Sequence, residues 1–189
     1  MAADHPTFDG ARWSNATADD VALAPSDPAW PERSAVEAIA ILAALARAVT
    51  GVTVEHVGST AVPGLAAKPV IDLLLIPPEG TWPRDTLVET LSSLGYVFWA
   101  ENPDPEHLFF VKGMPPYGTG RTHHVHVRPR ARAAAVLTFR DYLRARPDVA
   151  HEYETLKREL AARYPTDRDA YTRGKDAFVA RALAEAGAH

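Results

Sequence analysis

The chain has 189 residues, 47% hydrophobic and 23% charged, the proportions of one soluble globular domain with a sizeable core. A net charge of −4 argues against a dedicated binder of nucleic acid or anionic membrane, and the lack of cysteine excludes disulfides, thiolate catalysis and Cys-ligated zinc. Residues 1–20 are polar without a signal-peptide core, and the longest apolar run, Ala38 to Ala46, is too short to cross a bilayer, so the expected location is the cytoplasm.

In chain order, residues 1–20 read as a disordered or peripheral arm and 21–189 as a single domain. Val21 to Pro25 predicts a short strand. Ser34 to Glu37 has capping-box form, and Val36, Ile39, Leu42, Leu45 and Val49 follow at helical spacing as far as Gly51. Val52 to Val57 predicts a strand, then a glycine turn, then the most apolar strand, Val70 to Ile76. Thr81 is the expected N-cap of a helix ending at Leu94. Tyr96 to Ala100 and His107 to Lys112 predict an antiparallel pair. Pro115 to Gly120 reads as a mobile loop, and Thr122 to Arg128 as another strand. Three helices follow, over Ala131 to Arg146, Asp148 to Tyr164 and Asp167 to about Ala186, the last capped by Thr166 with Asp169. This order is α+β: a mixed sheet flanked by helices, then a helical C-terminal third.

The chemistry concentrates between Val54 and Leu73. A strand enters a turn of small residues, Gly58-Ser59-Thr60, where close backbone approach and exposed N–H groups suit a phosphate. Lys68 follows, offering a point charge to that phosphate. The next strand carries Asp72 among apolar residues, and a lone Asp there is costly unless a cation or hydrogen-bond donors satisfy it. Alternation puts Val70, Asp72 and Leu74 on one face; it also puts His124 and His126 together and turns His123 away. With Asp72 the two histidines would form a donor set suited to Zn²⁺, Mn²⁺ or Fe²⁺ rather than Mg²⁺ alone. The alternative is that they donate hydrogen bonds to substrate or to Asp72 without metal.

Glu55 and His56 lie on opposite faces, so one of them faces the cleft. The phase of His56 matches Gly58, and Glu55 is the alternative general base. Arg140 and Arg144 share a helical face, and Tyr153 with Lys157 and Tyr171 with Lys175 repeat that spacing. The helices thus offer cations and phenols to an anionic substrate, against the competing option of intrahelical pairing such as Arg144 with Asp141. The turn lacks the Walker A ending, Ser59 sits in no Gly-x-Ser-x-Gly elbow, and no Gly-x-Gly-x-x-Gly accompanies Tyr-x-x-x-Lys.

The same segments resemble the GrpB family, the UPF0157 group, whose hallmark has the form EHxGSTxVPGLxAKPxID. Here it reads Glu55-His56-Val57-Gly58-Ser59-Thr60, Val62-Pro63-Gly64-Leu65, Ala67-Lys68-Pro69 and Ile71-Asp72. Asp27 to Pro31, His123 to Val127, the Phe139 to Arg144 helix with Pro147, and Tyr153, Leu156-Lys157, Leu160-Ala161, Tyr171 and Lys175 extend the likeness over residues 21 to 180. The resemblance implies the nucleotidyltransferase fold of DNA polymerase β. Active members of that fold carry a second carboxylate two residues after the first, a position occupied here by Leu74.

The expected function is therefore metal-assisted transfer of a nucleotidyl group from a nucleoside triphosphate to a small-molecule acceptor. Asp72, His56 and Ser59 are the expected catalytic residues. Gly58, Ser59, Thr60, Lys68, Arg140, Arg144, Lys157 and Lys175 are expected to hold phosphate or substrate, and Asp72, His124 and His126 a divalent metal, Mg²⁺ or Mn²⁺ with Zn²⁺ as the alternative. No nucleic-acid or membrane partner is expected, and the oligomeric state is open. Two alternatives stand beside this: a non-catalytic nucleotide-binding or folding-accessory domain, as inferred for relatives fused to dephospho-coenzyme-A kinase, and a metal-dependent hydrolase.

Overall fold

The structure is a computed structural model and describes residues 21–188. Helix α1, Trp30–Leu45, begins earlier than expected, with Pro31 in its first turn, so Ser34 and Glu37 lie inside it. Its inward stripe is Trp30, Ser34, Glu37, Ile41 and Leu45, whereas Val36 and Ile39 are 63% and 67% exposed. Of the expected stripe, Val36, Ile39 and Leu42 thus face out, while Leu45 packs in and Val49 lies against the core. The reason is tertiary: the Glu37 carboxylate accepts hydrogen bonds from Tyr96 Oη at 3.0 Å and Lys112 Nζ at 2.7 Å, which makes an acidic residue tolerable inside.

Strands β1 (Thr53–Val57), β2 (Ile71–Ile76), β3 (Tyr96–Phe98), β4 (Leu108–Lys112) and β5 (His123–Val127) form one sheet in the order β1-β2-β5-β4-β3. Only β2 and β5 run parallel among the paired strands. Helix α2 (Arg84–Ser93) joins β2 to β3; Thr81 does not cap it, its hydroxyl donating instead to the Pro78 carbonyl. The strand expected at Val21 to Pro25 reduces to a single bridge between Ala24 and Ala67.

The helical third consists of α3 (Arg130–Ala145), α4 (Pro147–Arg163), α5 (Arg168–Arg173) and α6 (Asp176–Gly187). The single last helix expected from the sequence is thus two, parted at Gly174 and Lys175, and Asp167 rather than Thr166 caps α5 by accepting from the Ala170 N–H at 2.9 Å.

One face of the sheet is closed. Trp30, Ile41, Leu45, Leu87 and Leu91 from α1 and α2 cover Leu73, Leu75, Val125 and Val127. Each large side chain so buried contributes about 1.5–3 kcal/mol. The other face is covered only partly: Ala133 of α3 packs on Val57, Leu74 and Ile76. Val62 and Leu65, from the loop after β1, pack among Tyr142, Leu143, Tyr153, Phe178 and Ala182. That cluster ties the helical third to the glycine turn and leaves a cleft over Asp72.

Candidate functional site

The parallel β2–β5 register sets Asp72 beside His124 and Leu74 beside His126. Neighbouring residues in register share a face, so the carboxylate and both imidazoles meet, as alternation predicts, while His123 turns to the other side. The His124 Nδ1–H donates to Asp72 Oδ1 at 2.9 Å, and His126 Nε2 lies 3.7 Å from the same oxygen. Burial pushes the Asp72 carboxyl up, but the two imidazoles outweigh it and hold the group well below the usual carboxylate range. Leu74, where a second carboxylate was expected, is 0% exposed under α3. A carboxylate there would lie in dry apolar core.

Gly58 makes room for Asp72. Its backbone is at φ 71°, ψ −172°, and a Cβ on it would overlap Asp72 Oδ2 and come within 3.1 Å of Asp72 Cβ and Cγ. The sequence pattern pointed to close approach by a ligand; the close approach seen here is made by the catalytic candidate itself.

The β1–β2 register corrects one expectation. Val57 pairs with Asp72 and Glu55 with Leu74, so Glu55 and not His56 shares the Asp72 face. An antiparallel register puts 55 and 57 on that side whatever the phase of the following glycine. His56 reaches the site indirectly, its Nε2 lying 2.9 Å from Thr60 Oγ1. Burial lowers its pKa to about 4, with Asp72 opposing the shift and Arg144 and Arg140 adding to it.

The helices hold the turn by its backbone. Arg140 donates to the His56 carbonyl and to Glu55, each at 2.9 Å, and Arg144 donates to the Ala61 carbonyl at 2.9 Å. Neither arginine is among the residues that line the cleft. Burial raises the pKa of the Tyr153 hydroxyl, and the neighbouring Ser59 hydroxyl opposes that shift. Glu154 accepts from the Ala66 N–H at 2.9 Å, while Lys157 donates to the Ala66 carbonyl. One turn of α4 therefore grips both sides of that residue.

The cleft encloses about 240 Å³. Its lining combines Ser59, Thr60, Asp72, His124 and His126 with four cations, Lys68, Lys157, Arg168 and Lys175. Two of these cations lie over the Tyr171 ring, Lys68 Nζ 5.2 Å and Lys175 Nζ 4.5 Å from its centre. Burial lowers the pKa of Lys157 to about 8 and also lowers that of Lys175. Dry ammonium groups of this kind are stabilised by a bound anion.

Sequence reasoning missed Phe109, Arg168 and Thr172, which also line the cleft, and His107 with Asn102, which stand behind His126. Only His107 had a legible signal: it shares the odd-numbered phase of Phe109, which pairs with His126.

The fold belongs with the polymerase-β-like nucleotidyltransferases. The Cid1 poly(U) polymerase solved with MgGTP bound matches at a TM-score of 0.53 and 16% identity, over 75% of this chain and 45% of that one, a likeness of fold alone. The conserved protein GrpB from Enterococcus faecalis matches at a TM-score of 0.75 and 36% identity, over 87% of this chain and 96% of that one. The profile of the family described as GrpB protein covers residues 20–185. UPF0157 protein PA4798 of Pseudomonas aeruginosa is 60% identical over 181 residues, which are 96% of this chain and 74% of that protein. The chain belongs to the GrpB family. It is also 33% identical to the dephospho-CoA kinase of Mycolicibacterium paratuberculosis, over 82% of this chain but 43% of that protein. No described helix is long and apolar enough to cross a membrane.

Proposed function

We propose that the chain binds a nucleoside triphosphate, or a related phosphorylated donor, in the Asp72 cleft and transfers its nucleotidyl group to a small-molecule acceptor. The observation that carries this is that one cleft is lined by both an ionised Asp72 and four cations, Lys68, Lys157, Arg168 and Lys175. The cations would take the phosphates. Ser59 and Thr60, the latter in contact with His56, would orient them from the turn. Phosphoryl chemistry needs positioning and charge stabilisation more than covalent participation.

A divalent cation is the cofactor this function requires. The donors fit one, since ligand atoms of Asp72, His124 and His126 lie within 4.8 Å of one another. One carboxylate with imidazole nitrogen favours Mn²⁺ or Zn²⁺ over Mg²⁺. Bound there, the ion would neutralise charge on the transferring group.

Leu74 and the kinase relative favour a second reading, a non-catalytic nucleotide-binding or folding-accessory domain. Calorimetric titration of ATP, GTP, CTP and UTP into metal-stripped protein, with Mg²⁺, Mn²⁺ or Zn²⁺ added in turn, separates nucleotide binding from a purely folding-accessory role, and pyrophosphate release on adding candidate acceptors separates transfer from binding alone. The expected result is metal-dependent binding of at least one nucleotide that weakens tenfold or more, about 1.4 kcal/mol, in Asp72→Ala. Absence of nucleotide binding under every condition sinks the transfer reading and leaves the accessory one. Release of product without an added acceptor would make the chain a hydrolase.

A further inference from the structure

The hydrogen bonds behind His126 run in one direction only. The Asn102 amide is oriented from two sides: its Oδ1 accepts from the Asp104 N–H at 3.1 Å, and its Nδ2 donates to the His107 carbonyl at 2.8 Å. The second hydrogen of Nδ2 faces His107 Nδ1 at 3.2 Å, which must therefore offer a lone pair. The His107 proton then sits on Nε2, 3.0 Å from His126 Nδ1, with the two ring planes 15° apart. Two hydrogens cannot occupy that contact. His126 Nδ1 is therefore the acceptor, and its proton sits on Nε2, toward Asp72. Reversing the relay would require the Asn102 amide to flip, which would set like against like at both Asp104 and His107.

His124 differs. Its Nε2 is buried without a hydrogen-bond partner among the described residues, so nothing beyond Asp72 commits its tautomer.

We propose that Asn102 and His107 are positioning residues that lock His126 in its Nε2–H tautomer, making it a hydrogen-bond donor to a substrate phosphoryl oxygen and leaving a cation to Asp72 and His124. The donor role rests on the nucleotide reading above; the lock does not. His126 and His124 on one strand thereby take different tasks: His124, held by Asp72 alone, can shift its Nδ1 proton to Nε2 and offer a lone pair to a cation beside Asp72, whereas the relay keeps the His126 Nε2 proton in place.

The test is long-range proton–nitrogen correlation NMR of the full chain with labelled histidine, with Zn²⁺ as the diamagnetic probe. In the unsubstituted chain His126 should show a protonated Nε2 and a bare Nδ1, and Zn²⁺ should shift His124 while the His126 proton stays. Asn102→Asp supplies an acceptor where Asn102 supplied a donor. It should reverse both rings, bare His126 Nε2 and tighten Zn²⁺ about tenfold or more. His107→Phe, which removes the relay, should leave His126 a mixture of tautomers that Zn²⁺ resolves. An Nδ1–H tautomer in the unsubstituted chain, or loss of its His126 Nε2 proton to Zn²⁺, overturns the proposal. No nucleotide is present, so these outcomes are independent of whether nucleotide binds.

Discussion

Gly58→Ala is the sharpest single perturbation of this site, and its cost divides into two parts. The first is backbone. At φ 71°, ψ −172° the residue occupies a region essentially reserved for glycine, and an alanine held there costs about 1–3 kcal/mol. The second is the overlap of the new methyl with Asp72, which forces the carboxylate away and breaks its 2.9 Å bond to His124. A hydrogen bond to a charged group is worth about 1.5–3 kcal/mol. The Asp72 side chain is 28% exposed, so the lower end, about 1.5 kcal/mol, applies. Gly64→Ala is the control: φ is 77°, but nothing lies within 4 Å of its would-be Cβ, so only the backbone part remains. Urea unfolding should place Gly58→Ala at least about 1.5 kcal/mol below Gly64→Ala, or roughly 3–6 °C or more in Tm for a chain of this size. In an Asp72→Ala background at least half of that excess should vanish, because most of the obstructing side chain is gone. Equal losses in the two glycine variants, or an excess that persists without the carboxylate, would refute the reasoning.

Two further expectations follow from particular side chains. Lys157 titrates near 8 in the folded chain against 10.5 when unperturbed, so between those values the unfolded state binds more protons and stability rises with pH. The rise is bounded at about 3 kcal/mol, and urea unfolding across that window should show it in the parent chain but not in Lys157→Met; a parent chain that loses stability relative to the variant would contradict the burial argument. Ile39→Lys should change stability by no more than about 0.5 kcal/mol, whereas Ile41→Lys should cost more than about 4, since the first is 67% exposed and the second 0%. Comparable losses in both would show that α1 turns its other face to the sheet.

Features that depend on near neighbours were legible before folding. Alternation put His124 and His126 on one face, and the glycine turn before an apolar strand marked where Asp72 would stand. Four-residue spacing put Arg140 with Arg144 and Tyr171 with Lys175 on common helix faces. Where those faces turn was decided by contacts far along the chain. Glu37 points inward because Tyr96 and Lys112, 59 and 75 residues away, complete its hydrogen bonds, and Val36 and Ile39 turn outward while Ile41 and Leu45 pack in. Glu55 took the side expected for His56 because β1 pairs with β2 in a register that no local pattern encodes. Arg140 and Arg144, left by their spacing between substrate binding and intrahelical pairing, both pair with Asp141 and are also committed to the carbonyls of His56 and Ala61. Alternation and helical spacing are set by the bonds of one segment, so they can be read from it. Register, inward-facing charge and the partner of each cation are set by which segments meet, and that is settled only when the whole chain has folded.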